Sequence, residues 1–141
     1  MGCDIHLHIE VKINEKWEHY ACPSVNRFYR LFEKMAGVRG DIGDAISPPK
    51  GLPKDATTIT MLDYNQMEYE AHSESWLGID EIILLDEWSR SIDPKEMAYD
   101  LEYEILNCYL FGSSFASIKL YPEDNYIPGL TDVRFVFWFD C

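Results

Sequence analysis

At 141 residues and 16.5 kDa the chain has the length of one domain, enough to bury a sizeable core. Its formal net charge is −13, from 25 acidic against 12 basic residues, with a pI near 4.5. That balance excludes a general nucleic-acid binder, which needs a cationic face to release counterions, and a polybasic membrane anchor. No apolar run approaches the ~20 residues that span a bilayer, and the N-terminus has neither a basic n-region nor a signal core. The expectation is a soluble protein of the cytosol.

The charge is unevenly placed. Residues 1–54 carry net +1, residues 55–110 net −12 and residues 111–141 net −2. A bound anion would therefore draw its cations from the first third and from the isolated Arg134. The middle section reads as solvated helix faces that favour solubility. Four cysteines, Cys3, Cys22, Cys108 and Cys141, include no C-x-x-C pair, so neither paired zinc knuckles nor a dense disulfide framework is indicated. The expectation is reduced thiols, with Cys3 and Cys108 as small buried hydrophobes.

Residues 3–12, CDIHLHIEVK, alternate without a break: Cys3, Ile5, Leu7, Ile9 and Val11 on one face, Asp4, His6, His8, Glu10 and Lys12 on the other. That period of two predicts a half-buried strand. Ile13-Asn14-Glu15-Lys16 reads as a hairpin turn, and the chain returns through Trp17-Glu18-His19-Tyr20 as a second strand. Ser24 is a plausible N-cap for a helix over about Val25–Ala36, which Gly37 would stop.

The next nineteen residues, Gly37 to Asp55, hold glycines at 37, 40, 43 and 51 and prolines at 48, 49 and 53. So long a loop within a compact domain is usually functional or mobile. Asp55–Glu70 is ambiguous between strand and helix and is assigned as helix. A short helix is expected over Ile79–Glu87, with Asp80 and Glu81 complementing its N-terminal dipole. Another is expected over about Pro94–Phe111, opened by proline and closed by Gly112. Val133–Asp140 is too apolar for an edge strand and is expected to pair beside the first hairpin strand. The fold class is α+β, with a small antiparallel sheet from the N-terminal hairpin and the C-terminal strand and three to four helices packed on one face.

Four constellations have chemical potential. In Asp4-x-His6-x-His8-x-Glu10 all four polar groups share one strand face, each ~6.6–6.8 Å from the next. Imidazoles and carboxylates so arranged could hold a divalent metal, with His72 or Glu74 completing the set, or simply form the polar face of a hairpin. Arg134 sits within an otherwise apolar strand, where a buried guanidinium needs an anionic partner: Asp4, Asp140 or a ligand phosphate. With Trp17, Tyr20, Trp76, Trp88 and Trp138 supplying π surface and Arg27, Arg30 and Arg39 the other scarce cations, a nucleotide could be held by stacking and charge. The competing reading is an internal Arg–carboxylate bridge among core tryptophans.

The third pattern is Gly37-x-x-Gly40-x-x-Gly43 with Arg39, whose amides could cradle an anion, although it follows a helix and has no Walker lysine. The fourth is Ala71-His72-Ser73-Glu74-Ser75-Trp76-Leu77, which pairs serines with a histidine but lacks the G-x-S-x-G elbow of a serine hydrolase. Ser75 serves equally as a cap for the following helix.

The opening MGCDIHLHIEVKI, the Lys16-Trp17 after a tight turn, Gly51-Leu-Pro-Lys-Asp55, His72-Ser-x-Ser-Trp-Leu77 and the closing Val133-Arg-Phe-Val-Phe-Trp-Phe-Asp140 resemble a family of small phage and prophage proteins. That type is similar to the Thoeris anti-defence sponges, viral oligomers that bind cyclic ADP-ribose isomers and withhold them from a host effector. The resemblance implies capture without turnover and without a cofactor, in the cytoplasm of an infected bacterium. It also implies a homo-oligomer, a dimer or larger even-numbered ring, with a pocket shared between protomers. Trp17 and Arg134 are the first ligand-binding positions it suggests, with Trp76, Arg27, Arg39 and Asp140 following. The family pattern H-S-H-S-W is broken here by Glu74, which weakens a metal role for that segment. The alternatives are a metal-dependent phosphodiesterase or hydrolase using Asp4, His6, His8 and His72, and a phage protein that inhibits a host protein by binding.

Overall fold

A computed structural model of the chain describes residues 2–92, 115–121, 123 and 127–141. The predicted helix over Pro94–Phe111, and Cys108 with it, lies outside the described residues. Four strands form one antiparallel sheet in the order β2-β1-β4-β3: β1 is Asp4–Ile13, β2 Lys16–Ala21, β3 His72–Leu77 and β4 Leu130–Asp140. The hairpin and the C-terminal partner strand therefore form as the alternation predicts. The apolar run Phe135–Phe139 within β4 is explained by the strand's central place, flanked on both sides.

The β1–β2 turn is a two-residue loop, with Asn14 at φ 50° and Glu15 at φ 66°. Two consecutive positive φ angles are the signature of a type I′ turn, whose twist matches the flanking strands. The register that follows places Ile13 opposite Lys16 and Glu10 opposite His19. Across the other edge of β1, Asp4 faces Asp140, His6 faces Trp138 and Glu10 faces Arg134.

One face of the sheet is apolar. Ile5, Leu7, Ile9, Val11, Val133, Phe135, Phe137 and Phe139 bury there against Leu31, Phe32 and Met35 of α1 (Tyr29–Ala36), Ile82 and Leu85 of α3 (Ile79–Ser91) and Ile118 of α4 (Phe115–Leu120). Eliminating so much apolar surface from water is the main drive for this architecture. Helix α2 (Thr58–Gln66) lies over the opposite face, where the polar side chains of β1 are displayed.

Several local expectations are corrected. α1 begins at Tyr29, not Val25, and Phe28 at its N-cap makes no side-chain cap bond, so Ser24 is not the cap. The Arg27 guanidinium is drawn instead to Asp4, donating from Nε at 2.7 Å and from Nη2 at 3.1 Å, and residues 22–28 run without helix. Gly37 does end α1, in the left-handed region at φ 76°, where its N–H donates to the Glu33 carbonyl.

The segment expected to lead directly into α3 contains a strand, β3, and Ser75 belongs to it. Gly78 is the N-cap of α3, and its N–H donates to the Glu81 carboxylate. α3 runs on to Ser91, while α2 is shorter than Asp55–Glu70. The glycine-rich loop is pinned at several points: Ile46 N–H donates to the Lys34 carbonyl, Lys50 N–H to Ser75 Oγ and Gly51 N–H to the Glu74 carbonyl.

The cysteines are also corrected in part. Pairing Asp4 with Asp140 brings the two flanking residues together, and Cys3 and Cys141 are joined in a disulfide. Cys22 is free and exposed. Among the described residues no helix is long and apolar enough to cross a membrane.

Candidate functional site

The polar face of the sheet carries three linked groups of side chains beneath α2. At one end lies Glu10, fully buried. Its Oε2 accepts from the Thr57 N–H at 2.9 Å, the Thr57 hydroxyl at 2.7 Å and the Thr60 hydroxyl at 2.7 Å, and its Oε1 accepts from Arg134 Nε at 2.7 Å. Burial alone would raise the Glu10 carboxyl, but the hydrogen bonds from Thr57, Thr60 and Arg134 outweigh it and hold the group below the ordinary carboxylate range. The carboxylate sits at the N-terminus of α2, where the helix dipole favours a negative charge. Glu10 thus fixes where α2 starts.

Arg134 is buried and each of its three side-chain nitrogens is engaged. Nη1 reaches Asp55 Oδ1 at 2.8 Å and Nη2 the Asp55 carbonyl at 3.1 Å, and the guanidinium lies 4.0 Å from the centroid of the Trp17 ring. The hydrogen bond from Arg134 is the main reason the exposed Asp55 carboxyl is held low. The structure therefore brings Trp17 and Arg134 together, as cation and covering indole. The anionic partners of Arg134 are Glu10 and Asp55, not Asp4 or Asp140, because the β1–β4 register sets Glu10 directly across from it. A guanidinium so engaged is an internal ion pair.

In the middle of the face, His8 is buried and stacks on Trp138, with ring centroids 5.3 Å apart. Its Nε2 lies 2.7 Å from Asp63 Oδ2 on α2 and 3.9 Å from the Cys22 Sγ that follows β2, while Nδ1 lies 2.8 Å from His19 Nε2. Burial, then the neighbouring His8, hold the His19 imidazole below its ordinary pKa. Desolvation, then the Asp63 carboxylate, push the Cys22 thiol up.

At the far end His6 Nε2 meets Asp140 Oδ2 at 2.6 Å and the His6 ring stacks against Trp138. Asp4 turns away to Arg27, whose hydrogen bond lowers the Asp4 carboxyl. His72 opens β3 opposite Phe139, with Nε2 3.1 Å from Cys141 Sγ. Asp4, His6, His8 and His72 are thus each engaged with a different partner and do not converge on one centre. Glu74 accepts from the Tyr64 hydroxyl.

The remaining positions scatter. Trp76 is half-buried beneath the Lys50 ammonium, 3.8 Å from its ring centroid, and Lys50 also pairs with Glu81. Arg39 lies over the Tyr29 ring at 4.4 Å. The amide of Gly43 donates to Asp41 and that of Asp41 to Glu33, so carboxylates of the chain occupy these amides of the glycine spacing.

A separate cleft of about 420 Å³ opens between α1 and α3. It is lined by Arg30, Glu33 and Lys34 of α1, by Gly43, Asp44 and Ala45 and by Trp88 of α3, with Lys34 Nζ 5.9 Å from the Trp88 ring centroid. Lys34 was not among the cations singled out from the sequence. Its i, i+4 spacing from Arg30 on a predicted helix was the available signal. Asp63 and Cys22 carried none, since only the fold brings residues 8, 22 and 63 together.

Compared with protein-family models, with curated proteins and with solved structures, the chain matches none.

Proposed function

We propose that this chain is a binding protein that captures a small anionic nucleotide and holds it without cleaving it. A cyclic ADP-ribose isomer is the ligand class suggested by the sequence resemblance. The observation that carries the reading is the α1–α3 cleft: about 420 Å³, with two cations, Arg30 and Lys34, and one indole, Trp88, facing a common space. That volume falls within the range of small-ligand pockets, and a purine stacked on indole with phosphate beside Lys and Arg uses each group for what it does best. The acidic Glu33 and Asp44 in the same lining set a requirement for hydrogen-bonding hydroxyls such as those of ribose.

This placement moves the ligand away from Trp17 and Arg134, whose charge is already matched by Glu10 and Asp55. In an infected bacterium such a protein would act by withholding an immune signal. An oligomer would then let a second copy add cations to an otherwise acidic surface.

The test is thermal melting of the purified chain against cyclic ADP-ribose isomers and cyclic oligonucleotides, followed by mass spectrometry of nucleotide released on heat denaturation. A ligand that favours the native state raises the melting temperature. Stabilisation with the nucleotide recovered unchanged, reduced by Lys34→Ala and by Trp88→Ala, supports capture. An altered nucleotide would replace this reading with a metal-dependent phosphodiesterase. No shift across the panel would overturn it and direct the search to a host protein partner.

A further inference from the structure

We propose that His8, Asp63 and Cys22 form a binding site for a divalent transition metal of the zinc class, with one coordination position open to an exogenous oxygen ligand. The three donors come from three separate elements, β1, α2 and the segment after β2, and their ligand atoms all lie within 4.8 Å of one another. Bonds of about 2.0–2.3 Å to nitrogen, oxygen and thiolate sulfur place tetrahedral zinc donors roughly 3.3–3.8 Å apart. The observed separations of 2.7 Å from His8 to Asp63 and 3.9 Å from His8 to Cys22 bracket that spacing.

A hydrogen bond alone accounts for less of the arrangement. One proton on His8 Nε2 satisfies Asp63, and it gives no reason for a thiol from a third element to converge on the same nitrogen. A cation at the common point engages all three. The imidazole also has the support that metal-bound histidines require. With Nε2 as ligand, His8 Nδ1 carries the proton and donates to His19 Nε2 at 2.8 Å, while Trp138 holds the ring plane by stacking.

His8 is buried, Asp63 is about a third exposed and Cys22 is exposed, so the site meets solvent on the side of Asp63 and Cys22. Three protein ligands with one side at the surface are the pattern of zinc sites that keep a position for water or substrate oxygen. The mixed N, O and S donor set suits zinc or cobalt and disfavours magnesium and calcium, which take oxygen. Among the described residues the other convergent donor group, Cys3, His72 and Cys141, has both sulfurs in the disulfide. The proposal is independent of nucleotide capture, since it concerns the opposite side of the sheet from the α1–α3 cleft.

The experiment is a Co²⁺ titration of the chelator-treated full chain, without reductant so that the Cys3–Cys141 disulfide persists. The expected result is one equivalent bound, with the visible bands of a four-coordinate ion and a near-ultraviolet thiolate-to-cobalt charge-transfer band, both displaced by Zn²⁺. Cys22→Ser should abolish the charge-transfer band. Asp63→Asn should weaken binding at least tenfold, and His19→Ala, acting through His8, by about 10–100-fold. Asp63 is partly exposed, so Asp63→Asn tests the site even if Cys22→Ser folds poorly. Failure of the wild-type chain to bind Co²⁺ would overturn the proposal. So would a charge-transfer band that survives Cys22→Ser, or an affinity unchanged by Asp63→Asn.

Discussion

Glu10 and Arg134 stand directly opposite each other on the two central strands, joined at 2.7 Å and both almost wholly out of water. The pair does more than neutralise itself. Glu10 also receives the first donors of α2, and Arg134 reaches Asp55 just before that helix, so one ion pair docks a helix onto the sheet. Removing one partner leaves the other charge buried and unmatched, which costs about 3–5 kcal/mol. Arg134→Ala should lose stability on that scale in urea unfolding. The double change Glu10→Leu with Arg134→Met should lose clearly less than the two single losses combined. Additive losses would show that the two side chains are not coupled.

Acid should destabilise the metal-free protein in two stages. His19 is held below its unfolded pKa of about 6.5, so the unfolded chain takes up the proton first and stability begins to fall below that pH. Glu10 is held below its unfolded value of about 4.3, so its contribution is complete above that pH and is lost as pH falls through the lower folded value. Urea unfolding as a function of pH should show both declines. His19→Asn should flatten the upper one and leave the lower. Stability that rises as pH drops from about 7 to 5 would contradict the burial of a neutral His19.

The turn and the helix stop offer opposite tests of backbone strain. Glu15 occupies the left-handed region in the second position of a type I′ turn, where glycine is preferred. Glu15→Gly should raise stability by about 0.5 kcal/mol, since removing the strain slightly exceeds the entropy that glycine adds to the unfolded chain. Gly37 is already the right residue. A Cβ there would lie 2.6 Å from the Ile42 Cα at a φ of 76°, so Gly37→Ala should cost on the order of 1–3 kcal/mol. Chemical melts of both variants against wild type check the two signs.

Reduction of the Cys3–Cys141 bond should lower the melting temperature without altering the sheet. Closing a loop of nearly the whole chain restricts the unfolded ensemble strongly, and losing such a bond typically costs about 2–5 kcal/mol. Melts with and without a phosphine reductant, read by far-ultraviolet dichroism, test this. Equal midpoints would show that the cross-link contributes no net stability.

Periodicity made the hairpin and the central C-terminal strand legible, because an alternating strand with one polar face and a largely apolar strand beside it are distinct patterns. β3 escaped notice because His72, Ser73, Glu74 and Ser75 carry no apolar alternation. Ser75 is nonetheless buried, accepting from the Lys50 amide. The start of α1 was misplaced because Ser24 is a good cap by type, while the Asp4–Arg27 contact that holds the segment lies across the fold. Arg134 announced its need for an anion. The register that selects Glu10, and the loop that delivers Asp55, are tertiary facts. Likewise His8 was visible as a ligand type, but its neighbours Asp63 and Cys22 come from distant parts of the chain.

The disulfide also sets how the molecule would bear a pull. Cys3 lies just before the first strand and Cys141 just after the last, at the same end of two adjacent antiparallel strands. Tension applied through the two chain ends of the oxidised protein passes through the sulfur–sulfur bond and leaves the ladder between β1 and β4 unloaded. In the reduced protein the same tension falls on the Asp4–Asp140 end and peels the two strands apart one rung at a time, as a zipper opens. The redox state of two cysteines therefore decides whether a force drawn between Cys3 and Cys141 meets a covalent bond or a seam that opens.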